Sequence, residues 1–545
     1  MQLIKQKIHI NQIGYQSHLG KKAVYIGNSE SFAIINEKTQ RVLYTGVLTK
    51  PVLDSASGDV VRTADFSTFN MPGKYYIKIG IKKSHPFKID EKPFKELKNG
   101  LLKGLYYNRC DELTEEFAGE FAHQICHREP AALFDSPNKT IDVSGGWHDS
   151  GNYGKYVVSA CTTLAYLLYA FKIFPDSFSD IVGIPESKNK IPDILNECRV
   201  GLLWLLKMQG RDGGVHHKVV HCEKIEYILP EDDRSKFYVF AKSHQATAAF
   251  TACTALAAQI FEKYDAELSN KLKTASINAW IWLMNNPVFK PFENPSSVRY
   301  NMAGDFFDDD ISDDIFWACC ELYSLTGDND FHRKIIEMYS KIDLSGVQNC
   351  NVGGFGAMSY MLGEHIKDKA VTSAIKASFR VAADNIEYLS KTSGYETAKS
   401  INDYGLASNL NSACDCIKLI IANRMLGNDD YINTAVEQLN YLLGKNPNGI
   451  CFVTGFGSHS VKHPHHRPSI ADRCDAPVPG LLVCGPNSER KDEYTKWSIP
   501  MDTPPAKCYA DNDISFSTNE PAIYYNAALI FVLAYIESLG NADNT

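Results

Sequence analysis

Residues 145–174 read GGWHDSGNYGKYVVSACTTLAYLLYAFKIF. From 153 to 174 the stretch is apolar and long enough for a helix of several turns. Ahead of it stands a glycine-rich turn in which Asp149 lies beside Trp147, His148 and Tyr153. The helical texture begins near Phe94 and continues to the C-terminus. Ile194, Cys198, Leu202 and Leu205 share one face at helical spacing, and residues 241–261, 315–325, 370–389, 412–426 and 523–539 read the same way. Many of these stretches run in pairs joined by polar, Gly- or Pro-containing connections. Such a series buries its apolar faces by closing helical hairpins into a bundle or toroid. No short repeat is visible, which argues against a solenoid. Residues 127–151 and 444–519 are expected as long irregular segments, and loops of that length in a compact domain are usually functional.

Residues 1–90 have a different grain. Short apolar runs at 23–26, 32–35 and 42–44 are separated by turn residues, and Pro72-Gly73 marks a turn before 74–79. There Tyr75, Ile77 and Ile79 alternate with Tyr76 and Lys78, the period of a half-buried strand. Several short strands at this spacing predict a β-sandwich. Residues 88–98 read as a charged connector. The expected fold is therefore mostly α, a helical domain over 91–545 preceded by a small β-sandwich over 1–90.

Composition narrows the classes of function. The chain of 545 residues is 44% hydrophobic and 22% charged, with a formal net charge of -8 and no basic block, so a nucleic-acid partner is not expected. No uncharged apolar run reaches the ~18–20 residues of a membrane span. The N-terminus, MQLIKQKIHINQIGY, lacks the pattern of a secretory leader. Fifteen scattered cysteines, two of them adjacent (Cys319, Cys320), speak against a disulfide framework. A cytoplasmic protein is expected, or a secreted one if a leader has been removed.

Four constellations carry possible chemistry. In the first, Asp149 sits in the glycine-rich turn, with Trp147 and Tyr153 as candidate faces for a sugar ring; a plain helix N-cap would also put Asp149 or Asn152 there. The second is Ser515–Ile523 in sequence order Ser-Phe-Ser-Thr-Asn-Glu-Pro-Ala-Ile, with Glu520 at the expected start of the last helix, where a carboxylate is favoured by the dipole alone. The third is Pro464-His465-His466-Arg467-Pro468, whose His and Arg side chains are donors for sugar hydroxyls. The fourth is Cys110, Cys126, His127 and His148, a donor set suited to tetrahedral zinc but not at finger spacing; buried free cysteines are the alternative.

Together these segments resemble glycoside hydrolase family 9, the inverting cellulases. Asn11-Gln12-Ile13-Gly14-Tyr15 and Pro72-Gly73-Lys74-Tyr75-Tyr76 resemble the family's N-terminal immunoglobulin-like domain. Gly145-Gly146-Trp147-His148-Asp149, Asn446-Pro447, Pro464-His465-His466-Arg467, Val478-Pro479-Gly480, Gly485-Pro486-Asn487 and Asn519-Glu520 resemble its catalytic domain, in the family's order. The resemblance implies an (α/α)6 barrel. It makes Glu520 the general acid, Asp149 the first acid of the Asp-Ala-Gly-Asp pattern, and His465, His466 and Arg467 the sugar-binding loop. It makes Cys110, Cys126, His127 and His148 a structural zinc site. It also implies calcium, for which Asp309, Asp310, Asp313 and Asp314 supply oxygen donors, although a solvated acidic helix start reads the same. The implied partner is a β-linked gluco-oligosaccharide, with an exo-acting glucosaminidase on chitosan oligosaccharides as the runner-up.

One position departs from the pattern. Asn152 stands where the family has its second Asp, the general base. An amide cannot take the proton that an attacking water must lose. Three readings stay open: an otherwise active hydrolase in which Asn152 is a substitution made to trap a substrate complex, a protein with a native Asn152 in which Asp149 serves as base or that binds sugars with little turnover, and a phosphorolytic enzyme whose native Asn152 reflects that no base is needed.

Overall fold

The structure, a computed structural model, describes residues 7–223, 226–295 and 306–540. Ten short strands lie between Ile8 and Asp90. One sheet orders Ile8–His9, Lys22–Tyr25, Val60–Asp65 and Val52–Leu53, all antiparallel. The other orders Gly14–Gln16, Phe87–Asp90, Gly73–Ile79, Ser31–Asn36 and Val42–Val47, with Lys82–Lys83 added on Gly73–Ile79. Its pairs are antiparallel (Ile34 opposite Ile77) except Phe87–Asp90, which runs parallel to Gly14–Gln16. Alternation fills the core: Ile8 and Ala23 from one sheet meet Ile34, Tyr75, Ile77, Phe87 and Ile89 from the other. This is the β-sandwich expected. The charged connector is shorter than expected, because Phe87 and Ile89 point inward as a strand and a helix starts at Lys95.

Twelve helices of ten or more residues follow among the described residues: Lys95–Tyr107, Val157–Ile173, Asp193–Met208, His244–Phe261, Ala266–Asn285, Ser312–Thr326, Asn329–Met338, Gly353–Leu362, Lys369–Thr392, Ser408–Leu426, Asp429–Leu442 and Ile523–Leu539. That is the number six helical hairpins require. Every residue from Val157 to Phe171 is buried. A helix that is apolar all round belongs inside, which is why this one shows little amphipathic period.

The chain forms two compact units. One comprises residues 1–104, 382–469 and 475–545, the other 105–381 and 470–474. In the first, the sandwich is fastened to the C-terminal helices. The Gln12 N–H donates to Leu443 O at 2.9 Å, Gln12 Nε2 to Gly449 O at 3.0 Å, and Asn11 Nδ2 to Asn440 Oδ1 at 2.9 Å. Lys22 binds Glu396 at 2.6 Å, and fully buried Lys445 joins Glu396 at 2.9 Å and also Glu437. In the second unit, Val157–Ile173 packs on Asp193–Met208 and His244–Phe261.

The second unit also holds a sheet that sequence patterning missed. Ser136–Ile141, Ala131–Leu133, Phe237–Val239, Lys218–His221 and Lys155–Tyr156 pair in that order. Residues 127–151 are therefore not all loop. The strands are too short, and their partners too distant in sequence, for periodicity to reveal them.

Candidate active site

The turn before Val157 is built by glycine and by buried anchors. Gly145 and Gly146 take φ of +81° and +73°, a region that side chains with a Cβ avoid. A Cβ on Gly146 would also stand 2.7 Å from Trp204 Cγ. The Cys110 N–H donates to Gly146 O at 2.8 Å, and the His148 N–H to Asn108 O at 2.8 Å. Trp147 is 3% exposed, lies against Gly201 and donates from Nε1 to Glu197 Oε1 at 2.7 Å. Tyr153 is 1% exposed and its hydroxyl donates to Ile228 O at 2.6 Å. Both rings are buried and hold the turn in place, and Tyr153 also lines a cavity with His127, Lys155 and Phe237.

Within the turn, the Asp149 N–H donates to Gly154 O at 3.0 Å, and the buried Asp149 carboxylate accepts from Ser159 Oγ. Asn152 uses both ends of its amide: Oδ1 accepts the Gly154 N–H at 2.7 Å, and Nδ2 donates to Ser150 Oγ at 3.0 Å. The amide thus serves as a turn brace.

Cys110, Cys126, His127 and His148 converge, each offering a donor atom within 4.8 Å of the others. His127 Nδ1 is 3.1 Å from His148 Nε2 and 3.9 Å from Cys110 Sγ. The other nitrogen of His127 faces Asp233 Oδ2 at 3.3 Å, and Asp233 accepts the Ser235 N–H at 2.8 Å. A carboxylate behind a histidine is the usual orienting partner of a metal ligand; Asp233 was not singled out from sequence. Lys155 Nζ is 3.4 Å from Cys110 Sγ. The hydrogen bond with Cys126, then the charges of Lys155 and His148, hold the Cys110 thiol well below its ordinary pKa, while Cys126 is pushed up. Burial pulls His148 down to about 4. Two thiols and two imidazoles in this arrangement fit a closed tetrahedral zinc site.

A second set gathers Asp308, Asp313 and Asp314. Asp313 and Asp314 were expected from sequence, whereas Asp308 was not. Asp309 and Asp310 are exposed and stay outside the set. Asp314 is fully buried, and neither of its carboxylate oxygens has a hydrogen-bond partner. Burial first, then Asp313 and Asp308, push it well above the ordinary carboxylate range. An oxygen-only pocket of this kind fits a hard divalent cation.

The other unit carries the second group. Glu520 is half-buried and extended (φ -77°, ψ 128°), and its carbonyl accepts the Cys484 N–H at 3.0 Å. The final helix begins only at Ile523, so Glu520 precedes the first turn, and the dipole account of this position does not apply. The His465 N–H donates to Asn519 O at 2.9 Å, and His465 Nδ1 lies 2.6 Å from Asp513 O. His466 is 1% exposed, with Nδ1 at 2.9 Å from Ser469 Oγ. Arg467 opens the short helix Arg467–Ala471. Asp511, unnoticed in the sequence, accepts the N–H groups of Lys462 and His463, both at 2.9 Å, and Asn519 Nδ2 at 3.0 Å. It therefore fastens the histidine loop to the turn that bears Glu520. Asn526 does the same for the Val478-Pro479-Gly480 segment, accepting the Leu482 N–H at 2.9 Å and donating to Gly480 O at 2.6 Å.

The comparisons place the chain among known proteins. Residues 94–533 match the model for glycosyl hydrolase family 9, and residues 4–84 match the cellulase N-terminal ig-like domain. A cellodextrinase of Butyrivibrio fibrisolvens is 34% identical over 97% of this chain and 100% of its own length. Endoglucanase D of Acetivibrio thermocellus is 32% identical over 99% of this chain and 84% of its own. Among solved structures, a zinc-binding triple mutant of a family 9 endoglucanase superposes with a TM-score of 0.91 at 31% identity, over 96% of this chain and 99% of that one. A β-sandwich followed by the helices of an (α/α)6 barrel, with carboxylates on glycine- and asparagine-braced turns, defines a glycosidase. The chain belongs to glycosyl hydrolase family 9.

Proposed function

We propose that this protein takes β-1,4-linked gluco-oligosaccharides of cellodextrin type, and that Asn152 disables its hydrolysis of them. The domain boundary we propose lies between the strand Phe87–Asp90 and the helix Lys95–Tyr107. In the proposed single displacement, the Glu520 carboxyl gives its proton to the glycosidic oxygen as the C–O bond breaks, and water attacks the anomeric carbon from the opposite face. That water must lose a proton to a carboxylate placed across the sugar from the acid, with the two carboxyl groups ~6.5–9.5 Å apart in inverting enzymes. Asp149 orients the water. His465 and Arg467 supply donors for sugar hydroxyls, with His466 holding their loop.

The observation that carries the reading is the Asn152 amide. Its Oδ1 is occupied by the Gly154 N–H at 2.7 Å, and an amide has no basicity to offer. General-base catalysis contributes about 10²–10⁴-fold, so binding should outlast turnover. Calorimetry on the protein as it stands tests the substrate class. Cellohexaose is expected to bind more tightly than the glucosamine hexamer, and the reverse order would support a glucosaminidase instead.

Zinc in the Cys110, Cys126, His127 and His148 set would fix the start of the catalytic turn through His148, which precedes Asp149. Calcium is proposed at Asp308, Asp313 and Asp314. None of the fifteen cysteines is joined in a disulfide, which suits a reducing compartment such as the cytoplasm. No helix among the described residues is long and apolar enough to cross a membrane.

A further inference from the structure

The six-residue helix Glu493–Ser498 leaves Trp497 83% exposed. A single exposed apolar side chain is ordinary, but the helix that carries this one is anchored to the segment that leads into Glu520. Asp492 caps the helix by accepting the Thr495 N–H at 2.7 Å, and its other oxygen accepts Ser515 Oγ and the Ser517 N–H, both at 2.9 Å. One buried carboxylate thus joins the helix bearing Trp497 to the segment that leads into Glu520. On the far side, Arg490 donates to Pro500 O at 2.7 Å and closes the segment behind the helix. The Tyr494 ring stands 6.2 Å from the indole. Phe516, 37% exposed, follows the Ser515 anchor and has its ring 6.4 Å from that of His465.

The local charges cancel. Lys496 pairs with Glu493 at 2.6 Å, and Lys491 with Glu489 at 2.8 Å. A surface with an indole face and locally paired charges has no cationic field to draw a polyanion, and it suits a neutral ligand with an apolar face of its own, which a pyranose ring has.

We propose that Trp497, with Tyr494 at its edge, is a stacking platform for a distal sugar of a β-glucan chain whose other end lies at Glu520. The proposal rests on the glucan reading above and names an additional subsite for it. Only chains longer than the central sugars reach the indole.

The test is calorimetric binding of cellobiose and cellohexaose to the full chain and to its Trp497→Ala and Trp497→Phe variants. The exposed position makes both substitutions compatible with the fold. Trp497→Ala is expected to weaken cellohexaose about tenfold, the scale of a lost aromatic contact, to leave cellobiose unchanged, and to be largely rescued by Phe. Equal cellohexaose binding by Trp497→Ala would overturn the platform, as would an equal loss for both sugars. If the unmodified protein binds cellobiose and cellohexaose alike, the platform falls while the glucan reading stands. If it binds neither, the glucan reading falls and takes the platform's ligand with it.

Discussion

Gly146 carries two constraints at once, a φ of +73° and Trp204 where a Cβ would be. Gly146→Ala should therefore destabilise the protein by roughly 1–3 kcal/mol and weaken cellodextrin binding as well, as checked by thermal unfolding and calorimetry. At this scale the sequence was partly legible. Glycines and an acid before an apolar helix marked the turn, and Pro-His-His-Arg marked the loop. What it hid were the anchors. Asp511 and Asp233 look like any surface acid until distant chain brings Lys462 or His127 against them, and Asp308 until the start of the helix Ser312–Thr326 gathers it with Asp314. The nearness of Trp147 and Tyr153 to Asp149 in sequence does not say which way a ring points, and the burial of both emerges only in the fold.

The elements show how buried charge fixes the sandwich to the C-terminal helices. Burial alone would raise the Glu396 carboxyl, but Lys445 and Lys22 outweigh it and hold it at about 2. Lys445→Met would leave Glu396 and Glu437 without their buried cation, and should cost about 3–5 kcal/mol in denaturant unfolding. The pH dependence has a definite sign. A carboxylate whose pKa is depressed by folding contributes stability above its unfolded value and loses it as pH falls toward the folded one. Glu396 should therefore lose its contribution between about 4.5 and 2, and a Glu396→Gln variant should show a flatter decline of stability over that range. A rise in stability of the parent protein on acidification through the same range, absent from the variant, would contradict this. Helices such as Val157–Ile173, His244–Phe261 and Ile523–Leu539 were readable because they are long and apolar, whereas Asn329–Met338, ten residues with Ile335 alone buried, was not. The five-stranded sheet was not, because Lys155–Tyr156 and Ala131–Leu133 are too short to show a period and find their partners far along the chain.

For the whole molecule, sandwich and helices agree with one family, and the order of individually weak motifs is what makes that family visible in the sequence. Metals should be part of the architecture. Chelation is expected to lower the unfolding temperature and to release zinc near one equivalent, with Cys110 and Cys126 becoming reactive to a thiol reagent. Calcium at a hundredfold excess over its dissociation constant should return about 2.7 kcal/mol, and Asp314→Asn should abolish that gain without affecting zinc content. Calcium stabilisation that survives Asp314→Asn would place the ion elsewhere.

The central claim is that a family 9 hydrolase stands idle because Asn152 braces a turn where a base belongs. The direct measurement is product release from cellohexaose by this protein and by its Asn152→Asp variant, each with and without phosphate. Only the Asp variant should release shorter cellodextrins, about 10²–10⁴-fold faster than the parent, and phosphate should change nothing. Cleavage by the unmodified protein at the variant's rate, cleavage that depends on phosphate, or silence from both proteins would contradict the claim.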